Sequence, residues 1–187
     1  MSFANPADLA AYLQRAPFVG AEIQQAQLAL DVATSVVSER ARQVFVPVTD
    51  DTVTLDGFDR DVTLPQRPVT GVTSVTTRHS GNVATDSPTL GSDYEVRGDR
   101  LRWVGIGRWP YEVTVVYSHG FATIPDDVKG ATLAVAAETY ANPEGLASSA
   151  LDDSNDRHEW SDGSPAEKML RIIERKYRRK PLSVKLG

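Results

Sequence analysis

The sequence contains no cysteine. Disulfides, thiolate nucleophiles and cysteine-ligated zinc are therefore excluded. Long apolar runs are also missing, and no stretch approaches the roughly 20 residues that a membrane-spanning helix needs. The opening Met1-Ser2-Phe3-Ala4-Asn5-Pro6 has neither the basic nor the apolar segment of a secretory signal, so synthesis in a cytosol is expected. Histidines number only three, His79, His119 and His158, which leaves little for base catalysis or metal ligation.

What is present suffices for a packed core. Of 187 residues, 41% are hydrophobic, too many for a disordered chain and enough for one domain or one domain carrying an inserted module. Charge is unevenly placed. From Pro165 to the end there are eight Lys/Arg (Lys168, Arg171, Arg175, Lys176, Arg178, Arg179, Lys180, Lys185) against Glu167 and Glu174, while the whole chain stands at −5. A basic end on an acidic body points to a polyanion or an acidic partner surface, or to a solvated helix face.

Helical signals frame the chain. Asn5-Pro6-Ala7-Asp8 combines a capping residue, a first-turn proline and an acid at the positive end of the dipole. Leu9, Tyr12 and Leu13 follow as a short apolar stripe, which Ala16-Pro17 should end. A second helix is predicted from about Ala21 to Arg42, with Ile23, Ala26, Leu30, Ala33 and Val37 on one face. Leu28, Val32 and Val36 widen that face, so the helix is expected to bury two sides, one against a neighbouring subunit. The period then shortens. Val44-Phe45-Val46, 52–55, 61–64, 69–78, 93–97, 100–104 and 111–118 read as short strands. Asp56-Gly57 and Gly98-Asp99 serve as turn signals, and a small antiparallel sheet or barrel follows. Helix returns after Ile124-Pro125-Asp126-Asp127 in an alanine-rich stretch, where Ala131 and Val135 are candidates for a close subunit contact. Asn142-Pro143-Glu144-Gly145 stops it. An acidic loop leads to Ser164-Pro165-Ala166-Glu167, a capping box opening a last helix to about Lys180. Beyond Pro181, Leu182, Val184 and Leu186 alternate with Ser183 and Lys185 as an extended tail.

The fold class expected is therefore α+β: a helical framework (1–42 and 119–180), an inserted β module (43–118) and an extended tail (181–187). Catalysis finds no support. Ser118 and His119 are neighbours on a strand, where side chains point to opposite faces. Gly105-Ile106-Gly107 lacks the third glycine and the strand-to-helix setting of a dinucleotide loop. Asp152, Asp153, Asn155, Asp156 and Glu159 miss the calcium-loop spacing, because Arg157 falls on a ligand position and no glycine gives the bend. The basic end holds one aromatic, Tyr177, on its apolar face, so no base-stacking platform forms, although Arg178, Arg179 and Lys180 can touch phosphate. No enzyme activity, metal or cofactor is expected.

The segment from Val113 through Tyr117-Ser118-His119-Gly120-Phe121, then Ile124-Pro125-Asp126-Asp127-Val128-Lys129 and the alanine-rich helix to Gly145, resembles the head-to-tail connector (head-completion adaptor) proteins of long-tailed bacteriophages. The opening Ala7-Asp8-Leu9-Ala10-Ala11-Tyr12-Leu13 is similar to the first helix of that family, especially in phages of actinobacterial hosts. The resemblance covers almost the whole chain in element order and is strongest over 111–145. It implies a homo-oligomeric ring, typically dodecameric, in the virion neck below the portal protein. Such a ring extends the channel for packaged DNA and presents a platform for the stopper or tail-completion protein.

The resemblance also implies portal contact through the C-terminal helix and tail, here Arg175, Arg178, Arg179, Lys180, Leu182, Val184, Lys185 and Leu186. The alternating tail suits pairing with a sheet edge. A ring needs heterologous interfaces, for which Leu28, Val32, Val36, Ala131 and Val135 are the candidates. An acidic body suits a DNA conduit, with Asp152, Asp153 and Asp156 as channel-facing candidates. Two other readings stay open: another neck protein (a stopper or tail-completion protein), and a DNA-binding protein using the basic C-terminal helix.

Overall fold

The computed structural model describes residues 2–79, 85–142 and 163–178. The elements are α1 (Pro6–Tyr12), α2 (Ala21–Ala41), β1 (Val48–Asp56), β2 (Asp61–Thr63), β3 (Val69–Arg78), β4 (Thr85–Asp86), β5 (Tyr94–Arg97), β6 (Arg100–Trp103), β7 (Glu112–His119), α3 (Asp126–Ala141) and α4 (Pro165–Tyr177). The fold is α+β, with helices framing an antiparallel β insertion. The chain divides into two compact units, Met1–Gln43 with Ile124–Gly187, and Val44–Thr123. The return boundary falls later than the expected 118/119, because β7 keeps its pairing to His119 and the Phe121 N–H donates to the Phe45 carbonyl at 2.9 Å.

In the helical unit, small residues set the spacing. Ala26, Ala29, Leu30, Ala33, Val37 and Ala41 line the buried face of α2. Helix α3, which packs against α2, buries Val128, Ala131, Ala134, Val135 and Ala136, and alanines at such positions let helices approach closely. Ile23, expected on this face, is 46% exposed, because the buried stripe starts a turn later at Ala26. Asn5 and Asp8 make a reciprocal capping box on α1: the Asp8 N–H donates to Asn5 Oδ1 at 2.9 Å and the Asn5 N–H to Asp8 Oδ2 at 3.1 Å. Asp8 also accepts the Lys129 ammonium at 2.9 Å, which ties α1 to α3 and holds its carboxyl below the usual range. The α1–α2 connection is fastened by Arg15, which pairs with Glu22 at 2.9 Å and lies 4.4 Å from the centre of the Phe18 ring. Helix α1 ends at Tyr12, earlier than Ala16-Pro17 suggested, and α2 ends with Arg42 in a left-handed conformation (φ 51°).

The β unit holds two sheets, ordered β1-β7-β3-β4 and β2-β6-β5. One core joins them: Val62, Leu64, Tyr94 and Leu101 come from the smaller sheet and its flank, and Val75, Val113, Val115 and Tyr117 from the larger. Trp109 lies among them, and its indole N–H donates to the Leu101 carbonyl at 3.1 Å, so the ring is buried without an unpaired donor. The Gly98-Asp99 hairpin forms as expected, with Gly98 supplying the positive φ of 63°.

Two sequence signals are used differently. Asp56-Gly57 is not a hairpin turn, since β1 pairs with β7 and β2 with β6. Gly57 is instead a close approach, where a Cβ would stand 1.4 Å from the Pro110 carbonyl oxygen. Val44-Phe45-Val46 lies in no strand. Phe45 is buried and stacks on Phe121 with ring centres 6.1 Å apart, and the Val44 N–H donates to the Gln66 side chain at 2.8 Å.

Candidate assembly surfaces

Helix α4 carries Lys168, Arg171, Arg175 and Lys176, the larger part of the described C-terminal basic segment, and its seating decides which of these cations are available. Ser164 caps it, accepting the Glu167 N–H at 3.1 Å. Among the described residues the box is one-sided. Glu167 turns away and accepts Arg171 Nε at 2.9 Å and Arg40 of α2 at 3.4 Å. Arg40 reaches Glu174 as well, at 3.5 Å, so one guanidinium bridges two turns of α4. Glu138 of α3 accepts the Ala166 N–H at 3.0 Å.

At the other end of α4, Asp127 accepts the Lys176 ammonium at 2.6 Å and the Tyr177 hydroxyl at 3.0 Å. Burial pushes the Asp127 carboxyl up, but the donors from Lys176 and Tyr177 outweigh it and leave the group below its ordinary value. Burial raises the Tyr177 phenol. Helix α4 is thus held at both ends by carboxylates, and its remaining face is open: Lys168, Ile172 and Arg175 are exposed, and among the described residues neither Lys168 nor Arg175 has an ion pair.

The expected contact residues fall into four groups. Arg175 is exposed, and Arg178, the residue that ends α4, pairs with Glu174. Leu28 is 62% exposed on α2, and Val32 and Val36 on the same helix are half-buried. Ala131 and Val135 have no exposed surface, so their expected role in a subunit contact is corrected: α3 spends these positions on its own unit's core. Arg179, Lys180, Leu182, Val184, Lys185 and Leu186, like Asp152, Asp153 and Asp156, lie outside the described residues, as do His158 and the stop at Pro181.

The remaining histidines make local contacts. His119, on the buried face of β7, has Nε2 3.1 Å from Asp51 Oδ2, and His79 lies 3.4 Å from Asp86 at the surface. Ser118 faces the other way and accepts the Asp50 N–H at 3.3 Å. Among the described residues, no three His, Asp or Glu side chains converge as a metal site would require. Sequence reasoning missed Arg40, Asp127 and Ile172. Arg40 and Asp127 find partners across 127 and 49 residues, a distance no local pattern spans. Ile172 was hidden by its neighbour Ile173, since only one of the pair can face the core.

No family model matches the chain, and no curated protein does. Solved structures do. A chain from the neck of an empty gene transfer agent (GTA) particle, computed with C6 symmetry, matches with TM-score 0.57 at 19% identity, over 96% of this chain and 92% of that one. The chain shares its fold. A chain from the virion of a native gene transfer agent particle gives TM-score 0.56 at 18% identity, again over 96% and 92%. One from the neck of the native particle, computed with C12 symmetry, gives 0.50 at 18%, over 95% and 90%. The likeness therefore includes both the helical unit and the inserted β unit.

Proposed function

We propose that this chain is a structural component of the neck of a phage-like particle: one subunit of a ring that docks under the portal, continues the DNA passage and receives the next neck or tail protein. In this reading it is a head-to-tail adaptor, located in the virion and without catalytic activity. The observation that carries the reading is a shared fold over nearly the full length with chains from the necks of gene transfer agent particles. The six- and twelvefold symmetries of those particles support a ring, with twelve copies as the adaptor resemblance implies. The basic end from Arg178 through Leu186 is the portion that holds the portal, as a charged and alternating segment suited to a sheet edge. The acidic stretch containing Asp152, Asp153 and Asp156 faces the DNA passage, where like charge keeps the phosphate backbone moving.

The test is native mass measurement of the full chain with and without purified portal, beside a truncation after Lys180. The full chain should add a ring to the portal, and the truncated chain should bind with at least tenfold loss of occupancy. A full chain that never associates with portal overturns the adaptor reading. Equal binding by the truncated chain removes residues 181–187 from the contact.

A further inference from the structure

A closed ring of identical subunits requires two different faces on each subunit that fit one another. The helical unit presents such a pair. On α2, the buried stripe from Ala26 to Ala41 leaves the opposite side to Leu28, Asp31, Val32, Ser35 and Glu39; Leu28, Asp31, Ser35 and Glu39 are exposed and Val32 is half-buried. On α4, the buried stripe of Ala166, Leu170, Ile173 and Tyr177 leaves Lys168, Ile172 and Arg175 outward. Each outward face combines apolar surface with two charges, and the charges are opposite: Asp31 and Glu39 beside Leu28 and Val32 on α2, Lys168 and Arg175 on either side of Ile172 on α4. None of these four has an ion pair among the described residues, although their neighbours Arg40, Arg171, Glu174 and Lys176 all do. The spacing also agrees. Eight residues separate the α2 acids, about 12 Å along the axis, and seven the α4 cations, about 10 Å. With the charges aligned, Ile172, 43% exposed, falls opposite the exposed Ser35, one turn from Val32 and two turns from Leu28 at 62%. An apolar centre with a charged rim is the usual anatomy of a protein contact.

We propose that the outward face of α2 in one copy packs on the outward face of α4 in the next, with Asp31 and Glu39 set against Lys168 and Arg175 around Ile172, which seats on Ser35 beside Val32. The proposal rests on the ring reading above and names its repeating contact. It assigns Arg175 to the neighbouring copy, which leaves portal contact to the chain from Arg178 onward.

The absence of cysteine allows a clean test. A chain carrying both Ser35→Cys and Ile172→Cys, oxidised under assembly conditions with portal present, should give a covalent ladder rising past the dimer. Either substitution alone should give no species above a dimer. Charge reversal supplies the second arm. Asp31→Lys with Glu39→Lys, and separately Lys168→Glu with Arg175→Glu, should each abolish the oligomer. An equimolar mixture of the two reversed chains should restore it as alternating subunits, which also shows that both are folded. Reversed chains that still form the ring, a mixture that restores nothing, or a double-cysteine chain that stops at the dimer would each overturn the contact while leaving the ring reading intact. A wild-type chain that forms no oligomer, alone or on portal, removes the ring itself and this contact with it.

Discussion

Removing one hydroxyl, by Tyr177→Phe, isolates how α4 is held to the start of α3. Tyr177 is 7% exposed, so phenylalanine keeps the packed ring and loses only the bond to Asp127. A hydrogen bond to a charged group is worth about 1.5–3 kcal/mol. Asp127 retains Lys176 and is a quarter exposed, which places the loss at the low end, about 1.5 kcal/mol. Unfolding followed by helix circular dichroism at pH 7 should show a midpoint lower by roughly 3–6 °C. Helix signal is the appropriate probe, because the described tryptophans Trp103 and Trp109 belong to the β unit. The pH dependence has a definite sign. Asp127 titrates below its ordinary value in the folded chain. Its contribution is therefore complete above the unfolded value of about 3.9 and is lost as pH falls through the lower folded value. Below that point the bond is between neutral partners, and the gap between wild type and Tyr177→Phe should shrink to under about 1 kcal/mol. Identical midpoints at pH 7, or a gap that does not narrow in acid, would refute this account of the contact.

Two further outcomes follow from local geometry. Gly57→Ala puts a methyl 1.4 Å from the Pro110 carbonyl oxygen, so the β unit must shift backbone. A loss above about 3 kcal/mol is expected in tryptophan-monitored unfolding, and a loss under about 1 kcal/mol would contradict the close approach. Ser164→Ala removes the side-chain cap of α4 and should cost about 1 kcal/mol, with Ser164→Asp recovering most of it; an alanine variant as stable as wild type would show that Glu138 alone fixes this helix start.

The ends of helices were the most readable part of the sequence, because their signals are local. Asn5-Pro6 and Ser164-Pro165 announce α1 and α4, and both asparagine and serine do cap. Strand partners were not readable. The alternation over 52–55 and 61–64 marks two strands but says nothing about which sheet each joins, and Asp56-Gly57 between them imitates a hairpin while serving a backbone crossing. Val44-Phe45-Val46 has strand composition, yet its role is to bury one aromatic ring. Contact residues were partly legible. The outward position of Leu28 follows from helix periodicity, whereas Ala131 and Val135 show that small residues signal close approach without saying whether the approaching helix belongs to the same chain. The carboxylates that fix α4 act across dozens of residues and have no local signature.

The pairing of Val48 with His119, together with the Phe45–Phe121 bond and ring stack, brings the two strands that open and close the β insertion side by side. A segment whose entrance and exit are adjacent can change in length or content without moving the points where the host chain is interrupted. Val44–Thr123 is in that sense an exchangeable cassette. Evolution can refit what it carries while α2 and α3 keep their sequence and their packing, and an engineer can splice at the same two positions.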